Sequence, residues 1–152
     1  MSEFFDPVSA SPRFRLPYLF VGQAQKEYTV NQAIALTDAL IQPVVQGQAD
    51  APPPGAAEGD AWIVGPSPEG SWSDQAGALA VLTENEWRFV NPVERMQIFD
   101  STAGSIAVWR DGAWWWPQAV TSPTGGGTID AEARAALGAL LGELRAAGIL
   151  PT

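Results

Sequence analysis

Two segments of the chain, 27 residues apart, repeat a pattern that is typical of a β-hairpin. In residues 77–89 and again in residues 104–116, a short apolar run leads into a polar two-residue turn, which an aromatic run follows. The turns are Glu84-Asn85 and Asp111-Gly112. Asn and Gly tolerate the positive φ angles that tight two-residue turns require, whereas the flanking residues favour strands. A duplicated hairpin predicts an antiparallel β module, which is typical of a building unit.

Strand character extends over the whole segment 60–120. Short runs of strand-forming residues alternate there with turn residues, which predicts an antiparallel meander. The predicted strands are 61–64, a short return through Trp72, 78–83, 86–90, 95–99, 105–110 and 113–116. Helix-forming residues lie towards the two ends of the chain, so the predicted fold class is α+β.

Residues 1–28 combine several prolines with a high density of aromatic side chains. Proline opposes regular helix and central strand, so we expect this arm to run extended over a surface. That surface is either the chain's own domain or a neighbouring subunit. The interface residues we expect in the arm are Phe4, Phe5, Phe14, Tyr18 and Phe20.

A first helix is predicted over residues 29–45. Thr29 is a candidate N-cap, and Gln32 completes a capping box. Pro43 ends or kinks the helix. Residues 46–59 contain three consecutive prolines and no large apolar side chain, which predicts an exposed linker with polyproline character.

A glycine-rich hinge at residues 121–128 leads into a predicted C-terminal amphipathic helix at 129–150, with Asp130 as its N-cap. A lone helix of this length is only marginally stable in water, so its apolar stripe must pack on the chain's own sheet or on another subunit. The glycine hinge and the alanine-rich flanks favour association with another subunit. The predicted oligomerisation residues follow a coiled-coil spacing, widened by Leu141: Ala133, Leu137, Leu140, Leu141 and Leu144.

The charge balance and the missing residue types narrow the function. Eight basic against seventeen acidic residues give a net charge of −9, which argues against nucleic acid and anionic membranes as partners. No apolar run approaches the roughly 20 residues that span a bilayer. The first residues lack signal-peptide features, so we expect production in the cytosol. Without Cys or His, we expect a non-enzymatic protein with no metal and no cofactor.

Seven tryptophans make a sugar-binding surface the main alternative to a purely structural role. Successive side chains on a strand face opposite ways, so most of these rings are expected in the core or at interfaces. Trp109 and Trp115 are the predicted glycan contacts, because their repeat counterparts are the non-aromatic Leu82 and Arg88. A glycosidase would instead need two facing carboxylates roughly 5 to 10 Å apart.

Several short motifs resemble one uncharacterised domain family. The opening signature consists of Leu16-Pro-Tyr-Leu19, Gly22-Gln-Ala-Gln-Lys26, Asn31 and Asp38-Ala-Leu40, and similarity continues through Trp62-Ile-Val64, Trp87-Arg-Phe89 and Asp130-Ala-Glu-Ala-Arg134. This family is encoded in phage and prophage structural clusters and in alphaproteobacterial gene transfer agents. The chain departs from the pattern after Pro92, where Val93-Glu94 replaces an expected Gly-Trp.

The resemblance implies a virion component that resembles the base of a gene transfer agent head spike. Such a protein would oligomerise at a capsid vertex, with five copies favoured and three as the competitor, and would connect the capsid protein to a spike fibre protein for host attachment. Cell-surface polysaccharide would be contacted indirectly. The particle would assemble in the bacterial cytoplasm and leave by lysis. The alternative is a glycan-binding receptor-recognition module of a tail or head fibre.

Overall fold

The computed structural model describes residues 26–127 and 130–151. Within these ranges the chain has two helices and eight strands in two sheets, which confirms the predicted α+β class. The described residues divide into two compact units, with the boundary between Pro92 and Val93. The predicted interface residues of the N-terminal arm, Phe4, Phe5, Phe14, Tyr18 and Phe20, lie outside the described residues.

The helices and strands of the two units occur in the following order along the chain. The first unit contains α1 (Lys26–Ile41), β1 (Val44–Val45), β2 (Gln48–Ala49), β3 (Ala61–Val64), a 3₁₀ turn (Gly70–Trp72), β4 (Leu79–Thr83) and β5 (Glu86–Val90). The second unit contains β6 (Gln97–Asp100), β7 (Ser105–Arg110), β8 (Ala113–Trp115) and α2 (Ala131–Ala146).

Helix α1 begins earlier than predicted and ends just before Pro43, which is one of the two outcomes predicted for that proline. It begins at Lys26, so Thr29 lies in its first turn and not at an N-cap. It ends at Ile41, and the residues after Pro43 form β1. The early end has a physical reason, because the residue that precedes a proline is pushed out of the helical conformation. Ala35 and Ala39 are buried, and the helix lies against β4.

The predicted linker 46–59 is corrected in its first part. Strand β2 pairs in parallel with β3, with Ile63 N–H donating to the Gly47 carbonyl at 3.0 Å and Gly65 N–H donating to the Ala49 carbonyl at 2.8 Å. β3, β4 and β5 continue this sheet in antiparallel order. A two-residue strand is too short to show an alternating pattern, so the sequence did not reveal it.

The predicted short strand through Trp72 is instead a 3₁₀ turn. Gly70 begins it at φ +60°, a conformation that glycine adopts without strain. The turn inserts the fully buried Trp72 against Val64, Ala78 and Ala80. This cluster is the core of one face of the first sheet.

Both predicted hairpins are confirmed. β4 pairs with β5 across Glu84-Asn85, and β7 pairs with β8 across Asp111-Gly112. All four turn residues have positive φ, at 53° and 60° in the first turn and 53° and 78° in the second. Positive φ at both central residues defines the type I′ turn that matches the twist of paired strands.

A glutamate outside the first hairpin holds its turn. The Glu58 carboxylate accepts the backbone N–H of Glu84 at 2.9 Å and that of Asn85 at 2.6 Å. Glu58 stands three residues before β3 and is followed by Gly59 at φ +86°. The turn is therefore closed by a side chain from the segment that leads into the first antiparallel strand of the unit.

In the second unit, a glutamate also holds the turn of the hairpin. Glu94 stands three residues before β6, is followed by Arg95 at φ +71°, and accepts the Asp111 N–H at 3.3 Å. The backbone bonds beside the two glutamates also correspond. Leu82 exchanges bonds of 2.9 and 3.0 Å with Gly59 and Asp60, and its counterpart Trp109 exchanges bonds of 2.9 Å with Arg95 and Met96. The duplication thus extends from the hairpins to the segments that precede β3 and β6.

Helix α2 closes the second unit. Asp130 caps its first turn by accepting the Ala133 N–H at 2.9 Å, as predicted. After the helix, Gly148 adopts φ +68°, and its carbonyl accepts the Ile106 N–H at 2.8 Å. The C-terminal end of α2 therefore packs on β7 of its own chain.

Candidate functional site

One flank of α2 is left uncovered in the single chain. Of the five predicted oligomerisation residues, Leu141 is buried at 8% exposure and Leu144 is half-buried. Leu137 and Leu140 keep 48% and 54% of their surface exposed, and Ala133 is exposed as well. We call Ala133, Leu137 and Leu140 the α2 stripe. Docking within the chain buries Leu141 and half-buries Leu144, towards the C-terminal end of the helix, and leaves the α2 stripe without a cover among the described residues.

Two arginines fix α2 against the segment that precedes it. Arg145 Nη2 donates to the Val120 carbonyl at 2.6 Å, and Arg134 Nη2 donates to the Gly125 carbonyl. Residues 120–125 thus run alongside the helix, although sequence analysis predicts a hinge there. Both arginines of α2 thus donate to this segment. The other two charged residues of the helix are Glu132 and Glu143.

The tryptophans of the first unit are core residues, as the sequence predicted for most of the set. Trp72 and Trp87 meet edge to face at 4.9 Å between ring centroids, and Trp62 and Trp87 do so at 5.7 Å. Trp62 and Trp87 are half-buried and pack on the cluster around Trp72. These rings stabilise the sheet and present little continuous aromatic surface.

The second unit separates the two predicted glycan contacts. Trp109 lies directly opposite Trp114 across the hairpin, and their rings meet at 5.4 Å. Trp115 follows Trp114 in the strand and therefore points to the other face of the sheet, where it keeps 39% of its surface exposed. Trp109 and Trp115 thus cannot form one joint platform. Trp116 is half-buried, with its indole N–H donating to Asp100 at 2.8 Å.

Arg110 joins Trp115 on that exposed face, and sequence analysis did not single it out. Its guanidinium carbon lies 4.1 Å from the centroid of the Trp115 ring, a cation–π contact. Arg110 is the cross-strand partner of Ala113, two residues before Trp115. The repeat contained a signal for this contact, since strand pairing across the short turn places residues 110, 113 and 115 on one face.

The carboxylates near the turns hold the backbone. Asp60 accepts the Ala57 N–H at 2.9 Å, and the buried Asp100 accepts the N–H groups of Thr102 and Ala103 at 2.9 and 3.0 Å. Among residues 26–127 and 130–151, no three acidic side chains are grouped so that they could hold a metal ion. In the same ranges, neither helix is long and apolar enough to cross a membrane.

The strand-containing part of the chain matches a known protein family. Residues 30–119 match a family described as "Protein of unknown function (DUF2793)", which is more than half of the chain. The chain belongs to the DUF2793 family. The match runs from within α1 to beyond β8, so it includes all eight described strands, whereas α2 lies outside the matched range. No curated protein matches this DUF2793 chain. The predicted resemblance to an uncharacterised domain family is thereby confirmed.

Proposed function

We propose that this DUF2793 protein is a non-enzymatic structural component of a phage-like particle. In this proposal it forms the base of a head spike, oligomerises at a capsid vertex and connects the capsid protein to a fibre for host attachment. The observation that carries the proposal is the α2 stripe, an apolar surface that stays exposed on a helix already docked through Leu141 near its C-terminal end. The motifs in residues 16–40, which resemble those of phage and gene transfer agent proteins, supply the biological setting.

The α2 stripe supports assembly on energetic grounds. Covering a half-exposed leucine removes enough apolar surface from water to contribute about 1 kcal/mol. Leu137 and Leu140 together with their counterparts on neighbouring copies therefore give a sizeable driving force for association. Arg134 and Arg145 hold the helix in place beforehand, so little conformational entropy is lost on assembly.

In this proposal, symmetry limits the copy number to five or three. Contacts between unlike surfaces of neighbouring subunits close into a ring when the rotation between them fits. A capsid vertex favours five copies, and a trimeric fibre would favour three. In this proposal the particle assembles in the bacterial cytoplasm and is released by lysis. Cell-surface polysaccharide is reached through the attached fibre.

Leu137→Asp tests the proposal directly. A charge in the α2 stripe cannot be buried without a large desolvation cost, so we expect the variant to remain a single chain in light scattering while the parent forms a closed oligomer. Ala135→Asp is the matched control, because it adds the same charge to an exposed position on the other flank of α2. Electron microscopy classified without imposed symmetry counts the copies. A parent protein that stays monomeric at high concentration would contradict the proposal.

A second candidate function is a glycan-binding receptor-recognition module. The observation in its favour is the exposure of Trp115, since an accessible indole can stack on a sugar ring. This function requires the isolated chain to bind polysaccharide on its own, whereas the spike-base function requires binding to particle proteins.

A further inference from the structure

Arg110 has no anionic partner among the residues that the structure describes, although the chain is strongly acidic. Among the described residues no carboxylate pairs with it, although Arg88 pairs with Glu86 and Arg95 with Glu94. Stacking on Trp115 uses the face of the guanidinium and leaves the N–H donors in its plane available. No hydrogen bond in the described part of the chain uses these donors, and the group is half-buried beside an exposed indole.

The first unit shows how this chain neutralises an arginine on the corresponding face of its hairpin. Strand pairing relates Thr83, Glu86 and Arg88 of the first unit to Arg110, Ala113 and Trp115 of the second. In the first unit, Arg88 forms an ion pair with Glu86. In the second, alanine stands in place of that glutamate, and the cation lies on the neighbouring strand against an aromatic ring. Among the described residues of the second unit, no carboxylate takes the place of Glu86. The Arg110 guanidinium is therefore open to an anion from outside the chain.

We infer that Arg110 and Trp115 form a binding site for an acidic sugar. The apolar face of the sugar ring would stack on the exposed part of the Trp115 indole, and the sugar carboxylate would accept two N–H bonds from the Arg110 guanidinium. Planar arginine suits a carboxylate in this two-bond geometry better than lysine does. The inference rests on the second candidate function, glycan recognition, and is independent of the spike-base function.

The overall negative charge of the chain opposes nonspecific binding of an acidic glycan. A net charge of −9 repels polyanions, so an acidic glycan has no reason to collect on this surface unless a local site holds it. The repulsion from distant carboxylates is screened over about 8 Å at physiological salt, whereas a direct guanidinium contact is much shorter. Two acidic residues lie near the site. Asp111 follows Arg110 in the turn, and its backbone N–H donates to the carboxylate of Glu94.

The test compares one sugar with and without its charge. Trigalacturonate and its methyl ester share the same ring and differ in the free carboxylate, and each is titrated into the full chain by calorimetry. We expect saturable binding of trigalacturonate that is at least about tenfold tighter than that of the ester, since the charged contact is made by the acid alone. Arg110→Gln should abolish this preference, and Trp115→Ala should weaken the binding of both sugars.

Matched variants separate the site from general charge effects. Arg95→Gln removes an exposed arginine of the same unit that already has Glu94 as a partner, and it should leave binding unchanged. Arg110→Lys keeps the charge without the planar fork and should lose most of the preference, which remains informative if Trp115→Ala fails to fold. No saturable binding of trigalacturonate, or equal losses in Arg95→Gln and Arg110→Gln, would overturn the inference. Equal binding of acid and ester would overturn it while leaving glycan recognition by Trp115 standing, and none of these results bears on the Leu137→Asp test.

Discussion

At the scale of single residues, Glu58 stabilises a turn whose own residues are poorly suited to it. Glu84 occupies φ 53°, a left-handed conformation that costs a residue other than glycine roughly 1–2 kcal/mol. The Glu58 carboxylate offsets this cost by accepting two backbone N–H groups of the turn. A side chain outside the hairpin therefore helps to hold its turn.

Glu58→Ala should lower the free energy of unfolding by about 1–2 kcal/mol, because two backbone donors lose a charged acceptor. Urea unfolding followed by tryptophan fluorescence measures the change. Glu94→Ala is the matched control, since Glu94 holds the second turn through one longer bond of 3.3 Å and an exposed ion pair. Its effect should be clearly smaller, and equal losses in the two variants would show that bond geometry does not set the contribution.

At the scale of elements, the middle of α2 and the residues just after its C-terminal end differ in how they tolerate a side chain. A Cβ placed on Gly148 would lie 2.8 Å from the Phe99 ring, and Gly148 has φ +68°. A Cβ on Gly138, inside the helix, would meet no atom within 4 Å. The close packing of Gly148 reflects the docking of the helix end on its own sheet.

The same substitution at these two glycines should have opposite effects. Gly148→Ala combines backbone strain with a clash, so we expect a loss of about 1–2 kcal/mol in the free energy of unfolding. Gly138→Ala should gain up to about 1 kcal/mol, because alanine is the better helix former. Thermal unfolding followed by circular dichroism measures both. A neutral Gly148→Ala would mean that the end of α2 is not held as the structure shows.

The elements differed in how far their sequences predicted them. The hairpins and the Asp130 cap were predictable because local turn and capping chemistry determines them. β2 and the 3₁₀ turn at Trp72 were not, since each depends on pairing or burial against residues distant in the sequence. The oligomerisation residues of α2 were predicted from their spacing. Which of them the chain itself covers was decided by tertiary packing at Leu141.

The candidate site shows the same limit. Trp115 was predicted from the repeat, yet its partner Arg110 is defined by a cross-strand contact and by the missing carboxylate at Ala113. Trp109 was grouped with Trp115, although the strand pairing assigns the two rings to opposite faces. Comparing the two hairpins residue by residue, with strand alternation in mind, would have separated them.

At the scale of the whole molecule, the charge of −9 opposes the association that the α2 stripe favours. Copies of the chain repel one another, and this repulsion is screened as the Debye length falls from about 10 Å at 0.1 M salt to about 3 Å at 1 M. The contribution from burying the stripe is not screened. Salt should therefore strengthen the assembly rather than weaken it.

Sedimentation velocity over that salt range should show the oligomer fraction rising several-fold, because apolar burial is left to act against a weaker repulsion. Leu137→Asp is the control, and it should remain a single chain at every salt concentration. An oligomer that dissociates as salt is added would point to ion pairs between copies as the source of its stability.

The paired glutamates before β3 and β6 also bear on how such a chain can change over time. Because Glu58 and Glu94 secure the tips from outside, the register of each hairpin depends less on which residues occupy the tip. Natural variation can then accumulate at the two turns, while the strands keep their alignment. Related chains should therefore differ most at these two turns.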